Sequence, residues 1–163
     1  MSPAEAAREM ELDRFDRQLL NLVQEDAGQT AEQLAGRVAL SPSAIQRRLK
    51  RLRAQGTIGR DIAVVDPERV GPCTVFIASL TVERERPDLM AAVRRWLLAE
   101  PRIQQIYYVT GEADFVVVLS APDVAAYNAL MSRLLAECPG ATRFATSVAL
   151  DVVKRGLTIP IPD

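Results

Sequence analysis

The chain has 163 residues, 48% of them hydrophobic and 25% charged, with a net charge of −1; this composition excludes wholesale disorder, and the length admits one large or two small domains. The best candidate for a membrane span, Phe115-Val116-Val117-Val118-Leu119, falls far short of the roughly 20 apolar residues a bilayer needs, and the polar stretch from Met1 to Glu11 lacks the basic-then-apolar order of a secretion signal, so a cytoplasmic protein is expected. There is no histidine, and the two cysteines, Cys73 and Cys138, lie far apart; the commonest general base, the Cys/His pair and the usual zinc ligands are therefore missing, no catalytic residue, metal or cofactor is expected, and the cysteines read as small apolar fillers.

Residues 1–11 read as a frayed or helical leader. Leu12 opens an amphipathic helix in which Leu12, Phe15, Leu19, Leu20, Leu22 and Val23 share one side, and Gly28 ends the stretch. Thr30 with Gln33 forms a capping box for a short helix from Ala31 to about Val38, which buries Leu34, Ala35 and Val38. Ser41 caps a third helix whose first turn accommodates Pro42; it runs to about Gln55 and stops at Gly56, a left-handed cap. Two short helices joined by a tight turn and packed on a preceding helix make a helix-turn-helix. Thr57–Val65, around Gly59-Arg60-Asp61, is expected to add a small hairpin wing, closing a domain over 1–65. Pro67, Gly71 and Pro72 mark a linker over 66–72.

Beyond the linker the texture changes. Thr74–Val82 reads as a strand; Leu89, Val93, Trp96 and Leu97 form a helical stripe ending before Pro101; Ile103–Thr110 and Phe115–Ser120 read as strands joined by the turn Gly111–Asp114. Tyr127, Leu130, Met131, Leu134 and Leu135 form a second helical stripe, stopped by Pro139-Gly140, and Phe144–Val153 is expected to be the last strand. The order β-α-β-β-α-β is the ferredoxin-like pattern, one sheet with helices on one face, placed at 73–155 with a tail over 156–163. The fold class is thus α+β, a winged helix-turn-helix followed by a ferredoxin-like βαββαβ domain. Val75, Ile77, Val116 and Val118 would lie on the bare face of the sheet, for which dimerisation is the simplest cover.

Charge is not spread evenly. From Ser41 to Arg60 the charged residues are Arg47, Arg48, Lys50, Arg51, Arg53 and Arg60, with no acid among them. On the third helix Ile45, Leu49 and Leu52 must face inward, which turns Ser43, Arg47, Lys50 and Arg51 outward, with Gln46 at the edge and Ser41 at the first turn. Arg48 lies nearer the buried border, within reach of a phosphate or an internal carboxylate. A helix fits the major groove of double-stranded DNA with its first turns against base edges; Gln46 and Arg47 suit base contacts, Lys50 and Arg51 phosphate contacts. The alternative is a solvated basic face on an ordinary helical domain, but motif and charge agree on DNA binding.

These residues resemble the Lrp/AsnC family, the leucine-responsive or feast/famine regulators, from Leu12 to Lys154. The resemblance rests on Leu12-Asp13-Arg14-Phe15-Asp16-Arg17-Gln18-Leu19-Leu20, on Leu40-Ser41-Pro42-Ser43-Ala44-Ile45-Gln46-Arg47-Arg48-Leu49-Lys50-Arg51-Leu52, on Gly56-Thr57-Ile58 and Gly71, and on Val109-Thr110-Gly111-Glu112-Ala113-Asp114. It implies a transcriptional regulator that dimerises through its C-terminal sheet, assembles into octamers, and binds an amino-acid effector between dimers at the Gly-x-x-Asp turn. Carried over, the effector residues are Thr110, Gly111 and Asp114, with Thr146 and Ser147 from the last strand. Asp114 would hold the effector's ammonium. Phe144 departs from the family pattern, which often has a hydroxyl residue there, and an aromatic would narrow the pocket. Two other functions compete: an architectural DNA-binding protein needing no ligand, and an enzyme similar to the sirohaem decarboxylases, whose histidines this chain lacks.

Overall fold

The computed structural model describes residues 12–83 and 86–162; the leader expected over 1–11 lies outside them. The chain divides into two compact units, Met1–Val64 with Lys154–Asp163, and Val65–Val153.

The first unit is built on helix α1 (Arg14–Glu25), helix α2 (Ala31–Ala35) and helix α3 (Pro42–Ala54). Each starts on a side-chain cap. Asp13 accepts the Asp16 N–H and Asp16 answers by accepting the Asp13 N–H, a capping box; Thr30 and Gln33 make a second one; Ser41 accepts the Ala44 N–H, with Pro42 in the first turn. Such caps satisfy amide groups that the helix itself cannot. The core joins Leu19, Leu34, Val38 and Ile45, with Phe15, Leu22, Val23, Leu40 and Leu49 against it. Leu19, Leu34, Ile45 and Leu52 are fully buried, each contributing about 1.5–3 kcal/mol relative to exposure. Helix α2 stops short of the expected Val38, because Gly36 ends it.

The hairpin expected over Thr57–Val65 is not formed, and the segment is irregular chain. A two-residue hairpin turn needs positive φ; no residue from Thr57 to Val65 adopts it, Gly59 included. Asp61 instead accepts two hydrogen bonds from the Arg53 guanidinium of α3, at 3.2 and 3.0 Å.

The tail returns to this unit. Gln24 of α1 donates to the Ile159 carbonyl at 3.1 Å and accepts the Ile159 N–H at 2.8 Å. Asn21 donates to the Ile161 carbonyl and Arg17 to that of Pro162, each at 3.0 Å. The three side chains recur along one face of α1, so the helix holds an extended segment by its backbone.

The second unit begins with a 3-10 turn (Pro67–Arg69), then β1 (Thr74–Val82), α4 (Pro87–Ala99), β2 (Ile103–Tyr108), β3 (Phe115–Ala121), α5 (Val124–Glu137) and β4 (Ala141–Val148). The strands form one sheet in the order β2-β3-β1-β4, and every neighbouring pair is antiparallel. Alternation sorts each strand: Phe76, Ala78, Leu80 and Val82 of β1 and Phe115, Val117, Leu119 and Ala121 of β3 are buried with Val93, Leu97, Tyr127, Leu130 and Leu134 of the helices. The Phe76 and Tyr127 rings stack at 4.3 Å. Cys138 is buried in this core as expected of a filler, but Cys73 is exposed. Ile77 pairs in register with Val118 on the face turned away from the helices, with Val75 and Val116.

Strand β4 ends at Val148 rather than at the expected Val153. Its last bond to β1 is Ala149 N–H to the Val75 carbonyl, and β1 begins only one residue earlier, so the chain runs out of partner. At its start β4 takes in Ala141–Arg143, paired with Val82 and Thr81 across a bulge.

Candidate nucleic-acid interface and effector site

Helix α3 presents the basic run. Ser41, Ser43, Gln46, Arg47, Lys50 and Arg51 are exposed, and Ile45 and Leu52 are buried on the opposite side, with Leu49 half-buried. The Ser41 and Ser43 hydroxyls share a hydrogen bond at 3.1 Å. A cleft of about 440 Å³ opens along the helix, lined on one side by Gln46, Lys50 and Arg53 and on the other by Gln29 and Ala31.

The cations on α3 differ in what already holds them. Arg48 donates through Nη1 to Asp13 at 2.7 Å and to Asp16 at 2.9 Å, and its guanidinium lies 5.7 Å from the centre of the Phe15 ring. The hydrogen bonds Arg48 donates to Asp13 and Asp16 raise its pKa. Arg51 donates to the other Asp16 oxygen at 2.5 Å, and Arg53 is paired with Asp61. Arg47 and Lys50 have no such partner among the described residues. An internal carboxylate within reach of Arg48, expected from its place near the buried border, is thus present in Asp16. Asp16, only 1% exposed, is the residue that reading the sequence missed. Its signal was present: three and four residues before Leu19 and Leu20, it sits within the apolar stripe of α1, where an acid needs a cationic partner.

In the second unit, Gly111 takes φ +109°, and a side chain there would meet no neighbour within 4 Å; the turn needs glycine for its backbone, not for room. Thr110 and Gly111 are exposed. Asp114 is 1% exposed. Its carboxylate accepts the Val82 N–H at 2.8 Å, and its own N–H donates to the Leu80 carbonyl at 2.8 Å, so the turn is tied to the end of β1. Thr146 pairs with Ala78 and Ser147 with Ile77; neighbours in a strand point to opposite faces, which places Thr146 on the helix side and Ser147 on the open side. The Thr146 hydroxyl shares a 2.5 Å hydrogen bond with Tyr127. Phe144 is half-buried against the core on the helix side. The turn leads into β3 and Thr146 stands on β4, so β1 separates them, about 10 Å from β3 to β4 at ordinary strand spacing.

Among the described residues no cluster of His, Cys, Asp and Glu could hold a metal ion, and no helix is long and apolar enough to cross a membrane.

Known proteins match this arrangement along nearly the whole chain. Residues 74–159 match the sequence model of the Lrp/AsnC ligand binding domain, and residues 12–58 that of a winged helix-turn-helix DNA-binding module. Over 152 residues, 93% of this chain and 90% of the relative, the sequence is 41% identical to an uncharacterized HTH-type transcriptional regulator of Sinorhizobium fredii. It is 30% identical to the leucine-responsive regulatory protein of Escherichia coli over 145 residues, 89% of this chain and 88% of that one. The fold is similar to that of a Neisseria meningitidis transcriptional regulator solved as its L-methionine complex, with a TM-score of 0.84 and 26% identity over 91% of this chain and 96% of that one.

Proposed function

Because the chain belongs to the Lrp/AsnC family of transcriptional regulators, we propose that it reads its operator with α3 and answers to an amino acid held in its C-terminal domain. The protein is a DNA-binding transcriptional regulator with a ligand-binding domain. The observation that carries the finer reading is the outward face of α3, where Ser43, Gln46, Arg47 and Lys50 stand exposed beyond a capped first turn. Gln46 and Arg47 face base edges and Lys50 a phosphate. In fluorescence anisotropy with an operator duplex, Arg47→Ala weakens binding and relaxes sequence preference, whereas Lys50→Ala weakens binding to all sequences alike. A folded Arg47/Lys50 double alanine variant with undiminished affinity would refute the assignment.

The effector site is assigned to Thr110, Gly111, Asp114, Thr146 and Ser147. The exposed turn offers backbone and hydroxyl groups to a carboxylate, and the neighbour from Neisseria meningitidis is a complex with L-methionine. Since Thr146 and Ser147 face opposite sides of the sheet, both can serve one ligand only where it lies between copies, which supports a homodimer joined through the open sheet face and a higher, octameric assembly. A ligand-independent, architectural regulator is the second reading, favoured by the inward engagement of Asp114 and of the Thr146 hydroxyl. Thermal-shift measurements against the amino acids separate the two, because a ligand preferring the native state raises the melting temperature; no shift at millimolar concentration of any of them leaves the architectural reading.

A further inference from the structure

We propose that Asp16 is a positioning residue that sets how DNA is read, by withholding Arg48 and Arg51 from the phosphate backbone. The inference rests on α3 being the DNA-reading helix.

Helix α3 carries Arg47, Arg48, Lys50, Arg51 and Arg53. If all reached phosphates, binding would be dominated by an electrostatic attraction that does not depend on sequence. Asp16 is built to prevent this for two of them. Its carboxylate is 1% exposed, fixed at the start of α1 by the capping box, and divided between two guanidinium groups, Arg48 at Oδ1 and Arg51 at Oδ2. A buried carboxylate cannot be left unpaired without a large penalty, so a DNA phosphate competing for these groups would have to strand it. Arg48 is held still more completely, with Asp13 as a second carboxylate and Phe15 beneath its guanidinium. Arg51 remains 45% exposed along its side chain, yet the Nη2 group nearest Asp16 is engaged. Arg47 and Lys50, three residues apart and so adjacent on the helix surface, are left for DNA. Asp16 thereby fixes the roll of α3 against α1 and keeps the sequence-blind part of the attraction small.

The test is the salt dependence of binding to a mixed-sequence duplex, which counts phosphates neutralised at about 0.9 per contact in the log–log slope. In the full chain, Lys50→Ala lowers the magnitude of the slope by about 0.9, whereas Arg51→Ala leaves it at the wild-type value. Asp16→Asn keeps the size of the side chain and removes the charge; it steepens the slope by about 0.9 for each arginine released and reduces the ratio of operator to mixed-sequence affinity. A merely structural role for Asp16 would lower affinity without steepening the slope. The proposal is overturned if Arg51→Ala lowers the slope as Lys50→Ala does, or if folded Asp16→Asn keeps the wild-type slope. Should Asp16→Asn fail to fold, the Arg51→Ala slope decides alone. If Arg47→Ala, Lys50→Ala and Arg51→Ala all leave binding untouched, α3 is not the reading helix, and the functional assignment fails first.

Discussion

At the scale of single residues, buried carboxylates organise both units. Asp114 suits an ammonium ligand by residue type, but its carboxylate is tied to the Val82 N–H. Asp114→Ala removes that acceptor and is expected to lower the unfolding free energy by about 1–3 kcal/mol in urea denaturation. Unchanged stability with a lost effector response would make the carboxylate a ligand group instead of a tether. Glu100, 6% exposed, accepts from Arg102 at 2.9 Å and from Arg133. Burial pushes the Glu100 carboxyl up, but hydrogen bonds from Arg102, reinforced by Arg133, outweigh it and hold its pKa below the usual value. The same contest at Asp13 is won by the Asp16 N–H and Arg48. A carboxyl depressed in the folded state contributes stability above its unfolded pKa, about 4, and that contribution is lost as pH falls through the folded value. Thermal melting should therefore fall steeply below about pH 4, and Asp13→Asn with Glu100→Gln should flatten that fall. Residue types made Arg47 and Lys50 legible in the sequence as cations on an outward face. They did not reveal that Arg51 has a partner in α1, because an ion pair 35 residues apart leaves no periodic mark.

At the scale of elements, what is local in sequence was readable and what is settled by neighbours was not. Caps at Thr30 and Ser41, and the stop at Gly56, follow from residue chemistry within one turn. Gly56 takes φ +74° with no atom within 4 Å of where a side chain would begin, so Gly56→Ala tests backbone strain alone; it should cost about 1–2 kcal/mol in urea denaturation, and Gly56→Asn, which tolerates the left-handed region, less. Equal stability of the alanine variant would show that the end of α3 relaxes freely. The end of β4 was illegible for a different reason. Its composition continues to favour a strand through Val153, but β1 offers no further partner. The hairpin over Thr57–Val65 was illegible likewise: Ile62, Val64 and Val65 are β-prone, yet they stay exposed because no turn brings two strands together, and an isolated hairpin is marginal in water.

At the scale of the whole molecule, the helices of the second unit cover one face of its sheet, with Ile77 at 40% exposure on the other. Ile77→Lys with Val118→Lys places two cations opposite one another in register, a destabilising pairing wherever a second copy covers them. Light scattering should show the variant in a smaller assembly than the wild type at equal concentration; an unchanged mass would move the interface elsewhere. The alternation of β1 and β3 showed this face in the sequence, whereas the return of the tail to α1 could not be foreseen, since backbone carbonyls are the groups recognised and every residue has one. That return reverses the usual order of manufacture. Domains generally fold as units, the N-terminal one first as the chain leaves the ribosome, yet here residues that follow the second unit complete the unit that precedes it. The DNA-binding unit can reach its final form only once the second unit has been translated, and a premature stop just beyond β4 would be felt in the helices that precede the sheet.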